Sequence, residues 1–362
     1  MKRYDNLWDE FLTLRVFMEA SKKVFRGKNK KNMEALIFED KKIENLLVLM
    51  DDLEKGTYKP GRYKEFFIYE PKKREILAPT HRDKVVQIAL NNVLKKIYFP
   101  CFISDSYGAI DGKGTHRCVD KIQSNMRKAK RNMKDPQIVK LDIKKFFYTI
   151  DREILKKIFR KKIKDERMLQ VLDVVTDSAW QMGENGIPLG NTVSQLSSNI
   201  YMNEFDQYAK KTLRLKYYVR YMDDIIIIVD GKNKAREVIK EARDFMETKL
   251  NLRLNEKKTR FFPLSQGVNA IGYRIYPEYR LLRKRSKTSV KKAKKAFLDD
   301  KDKNGLNRIM SCNTHLLNSN SFNFFTENVF KYLPLICLTI KNVEPKRVAE
   351  ILREKGFNVI AS

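Results

Sequence analysis

Apolar residues recur along this chain with two periods, and the switches between them mark out the elements. Ile43, Leu46, Leu47, Met50 and Leu53 stand three and four positions apart, so residues 1–60 read as helical until Gly56 and Pro60-Gly61 break the pattern. Phe66-Phe67-Ile68-Tyr69 and Glu75-Ile76-Leu77-Ala78 flank Pro71-Lys72-Lys73, which predicts a basic-tipped hairpin. Val85, Val86, Ile88, Ala89 and Val93 give the buried face of a helix over 83–98, and a loop with Gly108, Gly112 and Gly114 follows. Residues 138–143 predict a strand; 217–221 and 225–229 predict two more around a tight Asp223-Asp224 turn, with two helical stretches in between. Ala235, Val238, Ile239, Ala242, Phe245 and Met246 predict a helix over 233–250, and two short strand-like runs reach Tyr276. The order strand, helix, strand, strand, helix, strand is the ferredoxin-like arrangement, in an α+β chain.

Composition narrows the partners. The 362 residues suffice for two or three domains, and 42% hydrophobic with 11% aromatic residues excludes a disordered chain. Lys+Arg 75 against Asp+Glu 45 leaves +30, a balance that points to a polyanion, nucleic acid first. The segment 280–295 concentrates this charge, with nine basic residues in sixteen and no acidic one. The longest apolar runs, 225–229 and 332–340, fall short of the roughly 20 residues of a membrane-spanning helix. The charged N-terminus offers no signal core, so the expected location is cytoplasmic, with no membrane partner. Cys101, Cys118, Cys312 and Cys337 form no C-x-x-C pair and read as ordinary thiols.

The candidate chemistry lies in carboxylates. Phosphodiester synthesis needs two divalent ions about 3.5–4 Å apart, held by clustered carboxylates. Asp142 ends one strand, and Asp223-Asp224 sits at the apex of a hairpin that could pair beside it. Magnesium favours such oxygen ligands, and neither His nor Cys stands nearby. Taken alone, Asp223-Asp224 also fits a plain hairpin turn.

The surrounding motifs resemble those of reverse transcriptases. Tyr221-Met222-Asp223-Asp224 resembles the family's third palm motif, and Asp142 within Leu141-Asp142-Ile143-Lys144-Lys145-Phe146-Phe147 matches its first. Gly186-Ile187-Pro188-Leu189-Gly190-Asn191 falls where the second motif belongs; Leu254-Asn255-Glu256-Lys257-Lys258-Thr259 and Ile271-Gly272-Tyr273 resemble the fourth and fifth. The resemblance covers roughly residues 55–280. It implies a right-hand polymerase: an N-terminal helical extension at 1–60, fingers at 61–140, a ferredoxin-like palm at 141–279 with a helical fingers insertion at about 152–180, and a helical basic thumb at 280–362.

By the same resemblance Asp142, Asp223 and Asp224 are catalytic and bind two Mg2+ ions, with Mn2+ a possible substitute and the Ile143 carbonyl a further ligand. Lys258 matches a lysine that protonates departing pyrophosphate, although Lys257 is adjacent. Phe147 matches a steric gate against the 2′-hydroxyl, one of the Phe146-Phe147 pair being expected to face the core as on a strand. Lys73, Arg74 and Arg82 are candidates for the triphosphate, against the ordinary fate of basic residues as solvated surface charge. Leu189, Gly190 and Gln195 fall at the nucleotide, and Tyr221 and Gly272 at primer and template; a hairpin glycine explains Gly272 equally well.

The second motif narrows the family. Many relatives carry Gln where Leu189 stands, and Leu189-Gly190-Asn191-Thr192-Val193-Ser194-Gln195 resembles the signature of diversity-generating retroelement enzymes. Leu189 cannot hydrogen-bond the nucleotide, and apolar contacts separate similar shapes weakly, so copying should be inaccurate. The resemblance implies a template-repeat RNA copied into cDNA with errors opposite adenine, from deoxynucleoside triphosphates, alongside a small basic oligomeric accessory protein. The competing expectations are a group II intron, retron or antiviral-defence enzyme, and an inactive polymerase fold that binds RNA. No ribonuclease H segment is readable, and the remainder after Arg280 has room for a thumb and little more.

Overall fold

A computed structural model describes residues 2–26, 33–69, 73–178, 182–183, 185–300 and 318–332. The chain divides into two compact units, residues 1–121 with 133–262, and residues 122–132 with 263–362. In the first unit the helical start resolves into α1 (Leu7–Phe11), α2 (Leu14–Val24), α3 (Met33–Asp40) and α4 (Lys42–Glu54). α2 starts where Thr13 accepts a side-chain hydrogen bond from the Val16 amide, and it buries Phe17, Ala20 and Val24. β1 (Lys64–Ile68) and β2 (Arg74–Ala78) form the expected antiparallel hairpin, with Lys64 opposite Ala78 and Ile68 opposite Arg74; residues 70–72 of its tip lie outside the described residues. α5 (His81–Tyr98), capped by Thr80 on the Asp83 amide, turns Val85, Val86, Ala89 and Val93 inward.

The next element departs from the sequence reading. Past the glycine loop runs an eighteen-residue helix, α6 (Thr115–Asn132). Its buried stripe of Cys118, Val119, Ile122, Met126 and Ala129 is thin and scattered among charged residues, so apolar periodicity gives it little signal. Residues 115–121 of this helix belong to the first unit and 122–132 to the second.

β3 (Pro136–Asp142) is followed by α7 (Phe146–Thr149), α8 (Arg152–Lys162), α9 (Glu166–Asp177) and α10 (Thr192–Lys211), then β4 (Tyr217–Tyr221), β5 (Asp224–Asp230), α11 (Lys232–Leu250) and β6 (Arg260–Pro263). Asp151, Asp165 and Asn191 cap α8, α9 and α10 by accepting from the Ile154, Met168 and Val193 amides. The sheet order is β4-β5-β3-β6, which is the ferredoxin-like order for a strand–helix–strand–strand–helix–strand chain. β5 lies between two neighbours and reads Ile225-Ile226-Ile227-Ile228-Val229, all buried, as a central strand covered on both faces requires.

In the second unit β7 (Val268–Ala270), β8 (Tyr273–Ile275) and β9 (Arg280–Leu282) form an antiparallel meander, followed by α12 (Lys284–Asp300) and α13 (Phe322–Asn328). Two expectations change here. Residues 263–279 were expected within the palm, but they cluster with the second unit. Residues 280–282 were expected to open a helix, but they pair as strand with β8, Ile275 standing opposite Arg280. Along α12, Val290 and Ala293 are buried while Lys284, Arg285, Lys291, Lys292 and Lys295 are exposed; at about 100° per residue these cations share one half of the helix. The α6 segment is anchored in this unit by Gln123 Nε2 donating to the Tyr276 carbonyl (3.1 Å) and Arg127 Nε to that of Pro277 (2.7 Å). Cys118 is buried and Cys101 partly buried, as ordinary thiols; Cys312 and Cys337, with the polar stretch at 313–315, lie outside the described residues. No helix among the described residues is long and apolar enough to cross a membrane.

Replacing Ile227, fully buried on β5, by Ala is expected to destabilise the first unit by about 2–5 kcal/mol, the range for such truncations. Urea unfolding should show this as a lower midpoint with an unchanged slope.

Candidate active site

β3 and β5 pair in a register that sets Asp142 directly opposite Asp224, and β4 pairs with β5 so that Tyr221 faces Asp224 from the other side. Only Met222 and Asp223 remain to turn the chain. Met222 takes φ 55°, a left-handed value that primed hairpin turns require and that a non-glycine side chain adopts under strain. Asp223 thus stands at the apex, and Asp142 and Asp224 flank it on adjacent strands.

The strained turn is held from beneath. Arg220, on β4 two residues before it, is fully buried and donates to the Met222 carbonyl at 3.0 Å. Its Nε and Nη2 pair with the two oxygens of buried Asp206 on α10 at 2.8 and 2.6 Å, and Tyr218 OH donates to Asp206 Oδ1 at 2.5 Å. Burial alone would depress the Arg220 pKa, yet the charge and hydrogen bonds of Asp206 outweigh it and raise the value, so the guanidinium stays charged. Arg220 also donates to Asn199 Oδ1 (2.8 Å) and Ser106 Oγ (2.8 Å), while Asn199 Nδ2 donates to the Gly108 carbonyl at 2.7 Å. Gly108 lies so close to the turn that a Cβ there would sit 2.5 Å from Met222 Cγ. The segment before it meets β4 in a single parallel bridge at Ser106, through Arg220 N to the Asp105 carbonyl and Tyr107 N to the Arg220 carbonyl. The sequence reading passed over this cluster. Its only local signal was a charged residue, Arg220, inside an apolar strand, and its partners lie 14 to 114 positions away.

The carboxylates feel one another. Burial, then the charge of Asp224 and a smaller push from Asp142, raise the Asp223 pKa above the ordinary carboxylate value, while Arg74 acts in the opposite direction. Lys258 Nζ donates to both oxygens of Asp142 at 3.1 and 2.9 Å, and Lys140 Nζ lies 3.4 Å from Asp224 Oδ1. Of the adjacent Lys257 and Lys258, therefore, it is Lys258 that turns inward. The 253–259 loop straps onto β3: Asn255 N donates to the Asp142 carbonyl (2.7 Å), Lys144 N to the Arg253 carbonyl (2.9 Å), and Ile143 bridges Leu254. In that antiparallel pattern the Ile143 carbonyl points away from the loop, toward the β5 side where Asp223 stands. Among the described residues no group of three or more His, Cys, Asp and Glu side chains is gathered closely enough to hold a metal ion. The donor chemistry nonetheless fits divalent ions: an all-oxygen set whose mutual repulsion a cation would relieve.

The remaining candidates divide. Arg74, at the start of β2, acts on the charge of Asp223, whereas Lys73 Nζ lies 4.5 Å over the Phe67 ring. Arg82 is engaged elsewhere, donating to Asp52 Oδ2 (2.5 Å) and the Lys59 carbonyl (3.3 Å), with its guanidinium over the Tyr58 ring. Phe146 and Phe147 lie on the helical turn α7 rather than on a strand; Phe146 is buried, and Phe147 is partly exposed against it, with ring centroids 5.3 Å apart. Leu189 is half-buried and its carbonyl accepts from the Leu77 amide on β2 at 3.0 Å. Gly190 presses on the same strand at φ 123°, where a Cβ would meet the Leu77 carbonyl at 2.7 Å. Gln195 is exposed on the first turn of α10, and Tyr221 OH lies 3.4 Å from Thr115 Oγ1. Gly272 belongs to the second unit, where its carbonyl accepts from the Arg283 amide at 3.1 Å as α12 begins.

The family described as reverse transcriptase (RNA-dependent DNA polymerase) matches residues 59–275. Protein YkfC of Escherichia coli is 27% identical over 282 residues, covering 67% of this chain and 72% of YkfC. The group II intron-encoded protein LtrA of Lactococcus lactis is 26% identical over 309 residues, covering 66% of this chain but 50% of LtrA, so the chain spans about half of that relative. The structure of apo telomerase from Candida tropicalis superposes with a TM-score of 0.51 at 14% identity, covering 86% of this chain and 63% of the telomerase chain. That likeness is one of fold, the right-hand polymerase.

Asp206→Leu would strand the Arg220 charge, and breaking a buried pair in this way is expected to destabilise by about 3–5 kcal/mol. The double change Asp206→Leu with Arg220→Met should recover most of that loss in thermal unfolding, because no buried charge is then left unpaired.

Proposed function

The chain belongs to the reverse transcriptase family, and from that premise we propose that it is an RNA-directed DNA polymerase that extends a DNA strand on an RNA template. The observation that carries this reading is the register that sets Asp142 opposite Asp224 with Asp223 at the turn between strands. Those three carboxylates, with the Ile143 carbonyl, would hold two divalent ions, Mg2+ with Mn2+ as a substitute. When bound, such ions supply activation of the 3′-hydroxyl and neutralisation of the triphosphate. Arg74, which acts on the charge of Asp223, would neutralise the triphosphate, and Lys258, bonded to Asp142, would give a proton to the leaving pyrophosphate. Phe147 keeps its ring partly exposed beside this strand and serves as the barrier to a 2′-hydroxyl. Template RNA and the RNA/cDNA duplex are the polyanionic partners of a +30 chain, with the exposed cations of α12 available to their backbones.

The finer reading is a diversity-generating enzyme that copies a template-repeat RNA with errors opposite adenine, working with a small basic accessory protein. It is supported by Leu189, which offers the nucleotide no amide. A second reading, an intron-type enzyme, is favoured by the similarity to LtrA. The bacterial relatives YkfC and LtrA make the cytoplasm of a bacterium, or of an archaeal or phage-infected cell, the expected setting.

Asp223→Ala is expected to abolish magnesium-dependent primer extension on a defined RNA template; synthesis that survives the substitution would exclude the polymerase reading. Sequencing the products of Leu189→Gln should show errors opposite template adenine reduced by about tenfold or more, the scale of discrimination a single polar contact adds. Accurate copying by the unaltered chain, with no change on substitution, would favour the intron-type enzyme.

A further inference from the structure

The turn between β8 and β9 carries chemistry to which the polymerase reading gives no role. The meander of the second unit turns at one end through Ile271-Gly272, the glycine placed at primer and template, and at the other through Tyr276-Pro277-Glu278-Tyr279. Tyr276 N donates to the Tyr279 carbonyl at 2.9 Å and closes this second turn. The two tyrosine rings stack, with centroids 4.6 Å apart and planes 26° from parallel, within the offset geometry that aromatic pairs prefer. One face of Tyr279 is thus covered by Tyr276, yet the residue remains 42% exposed, so what meets solvent is its outer face and edge.

The turn is fastened to the α6 segment of the same unit. Gln123, Arg127 and Lys130 stand four and three residues apart on one stripe of that helix and reach the turn in order: Gln123 the Tyr276 carbonyl, Arg127 the Pro277 carbonyl, and Lys130 Nζ the Glu278 carboxylate at 2.5 Å. Four of the six residues at 127–132 are cationic, Arg127, Lys128, Lys130 and Arg131, and all four are exposed. At about 100° per residue Arg131 falls about 40° from Arg127 and Lys128 about 100° from it, so both flank the stripe that carries the turn. Arg274, exposed on β8, sets its guanidinium 5.5 Å from the Tyr276 ring. The turn, the 127–132 stretch and Arg274 together carry five cations and one acid, and that acid, Glu278, is paired with Lys130. A protein surface would find a single apolar ring here among charges. An unpaired nucleic-acid strand matches both features, since its bases offer planar faces to the ring and its phosphates meet the cations, whereas a duplex hides the base faces.

We propose that the Tyr276–Tyr279 turn is a stacking platform for single-stranded nucleic acid, with one base laid on the outer face of Tyr279 and the adjoining phosphates on Arg127, Lys128 and Arg131. The site is separate from the carboxylates and stands whether or not the chain polymerises. Recognition is by base face and backbone charge, so the platform is tolerant of sequence. Single-stranded RNA and DNA share this chemistry, and the experiment tells them apart.

The test is fluorescence anisotropy of a short labelled oligouridine on the full chain, with a saturating blunt RNA/DNA hairpin present to fill surfaces that bind duplex. Tyr279→Ala is expected to weaken binding about fivefold or more, the scale of one lost base stack, and Tyr279→Phe, which keeps the ring, to leave it unchanged. Lys128→Gln with Arg131→Gln, both on the helix surface, is an independent variant. It should make the slope of log K against log salt shallower by about 1.4, for two phosphate contacts at about 0.7 each. Oligouridine carrying 5-iodouracil should crosslink to Tyr279 on irradiation, as peptide mass spectrometry would locate. The matching oligodeoxyuridine identifies the strand: tighter RNA binding assigns the platform to RNA, and tighter DNA binding to the growing DNA strand, and either supports the site. Unchanged affinity in Tyr279→Ala, equal losses in Tyr279→Ala and Tyr279→Phe, or crosslinks only outside the turn would overturn it. Hairpin affinity that falls in step with oligouridine affinity would overturn it in favour of an ordinary duplex-backbone contact. If oligouridine binds through Tyr279 but the unaltered chain makes no Asp223-dependent product, the platform stands and the polymerase reading fails.

Discussion

The geometry of the active site hangs on one buried ion pair, Arg220 with Asp206. Both side chains are wholly shielded from water. Removing two charges from solvent is unfavourable by several kcal/mol per ion, so the pair is poorly explained as a source of stability. It is better explained by what it fixes. Asp206 ties the guanidinium to α10, Asn199 and Ser106 tie it to the helix and to the 105–108 segment, and the remaining donor reaches the Met222 carbonyl. A strained turn that carries a candidate catalytic carboxylate needs a neighbour that over-determines its conformation, and a five-donor planar cation is suited to that task.

The same economy of charge runs through the rest of the site. In a chain with thirty more cations than anions, three carboxylates are gathered on two adjacent strands and the turn beside them, where Asp224 and Asp142 disfavour ionisation of Asp223. Lys258 and Lys140 partly offset that repulsion from flanking positions. Immediately beyond Asp142 the chain carries the exposed Lys144 and Lys145, so the sign of the side-chain charge reverses within three residues.

Much of this was legible in the sequence because it rests on short-range pattern. β3, β5 and α11 announce themselves by period, and the Asp142 and Tyr221–Asp224 motifs identify the strands that pair. What escaped has identifiable causes. α6 buries five modest apolar side chains on a strongly charged helix, too little for periodicity to reveal. Residues 280–282 continue a basic run and look helical by composition, yet their amides pair with β8. The two phenylalanines were sorted by strand alternation, but β3 ends at Asp142 and a left-handed Lys145 starts a helical turn. Arg82 carried the right charge in the right region and found a local partner, Asp52, that no motif mentions. The Arg220 network was illegible for a deeper reason, since its members meet only after β4, α10 and the 105–108 segment have folded together.

The contact at Leu189 has an evolutionary corollary. The fold engages this residue through its carbonyl, which accepts from Leu77, and through the absence of a side chain at Gly190. Neither feature depends on which side chain position 189 bears. A replacement at position 189 leaves both of these backbone features in place. Natural variation can therefore explore different residues at this spot without endangering foldability, leaving selection free to act on whatever that side chain meets.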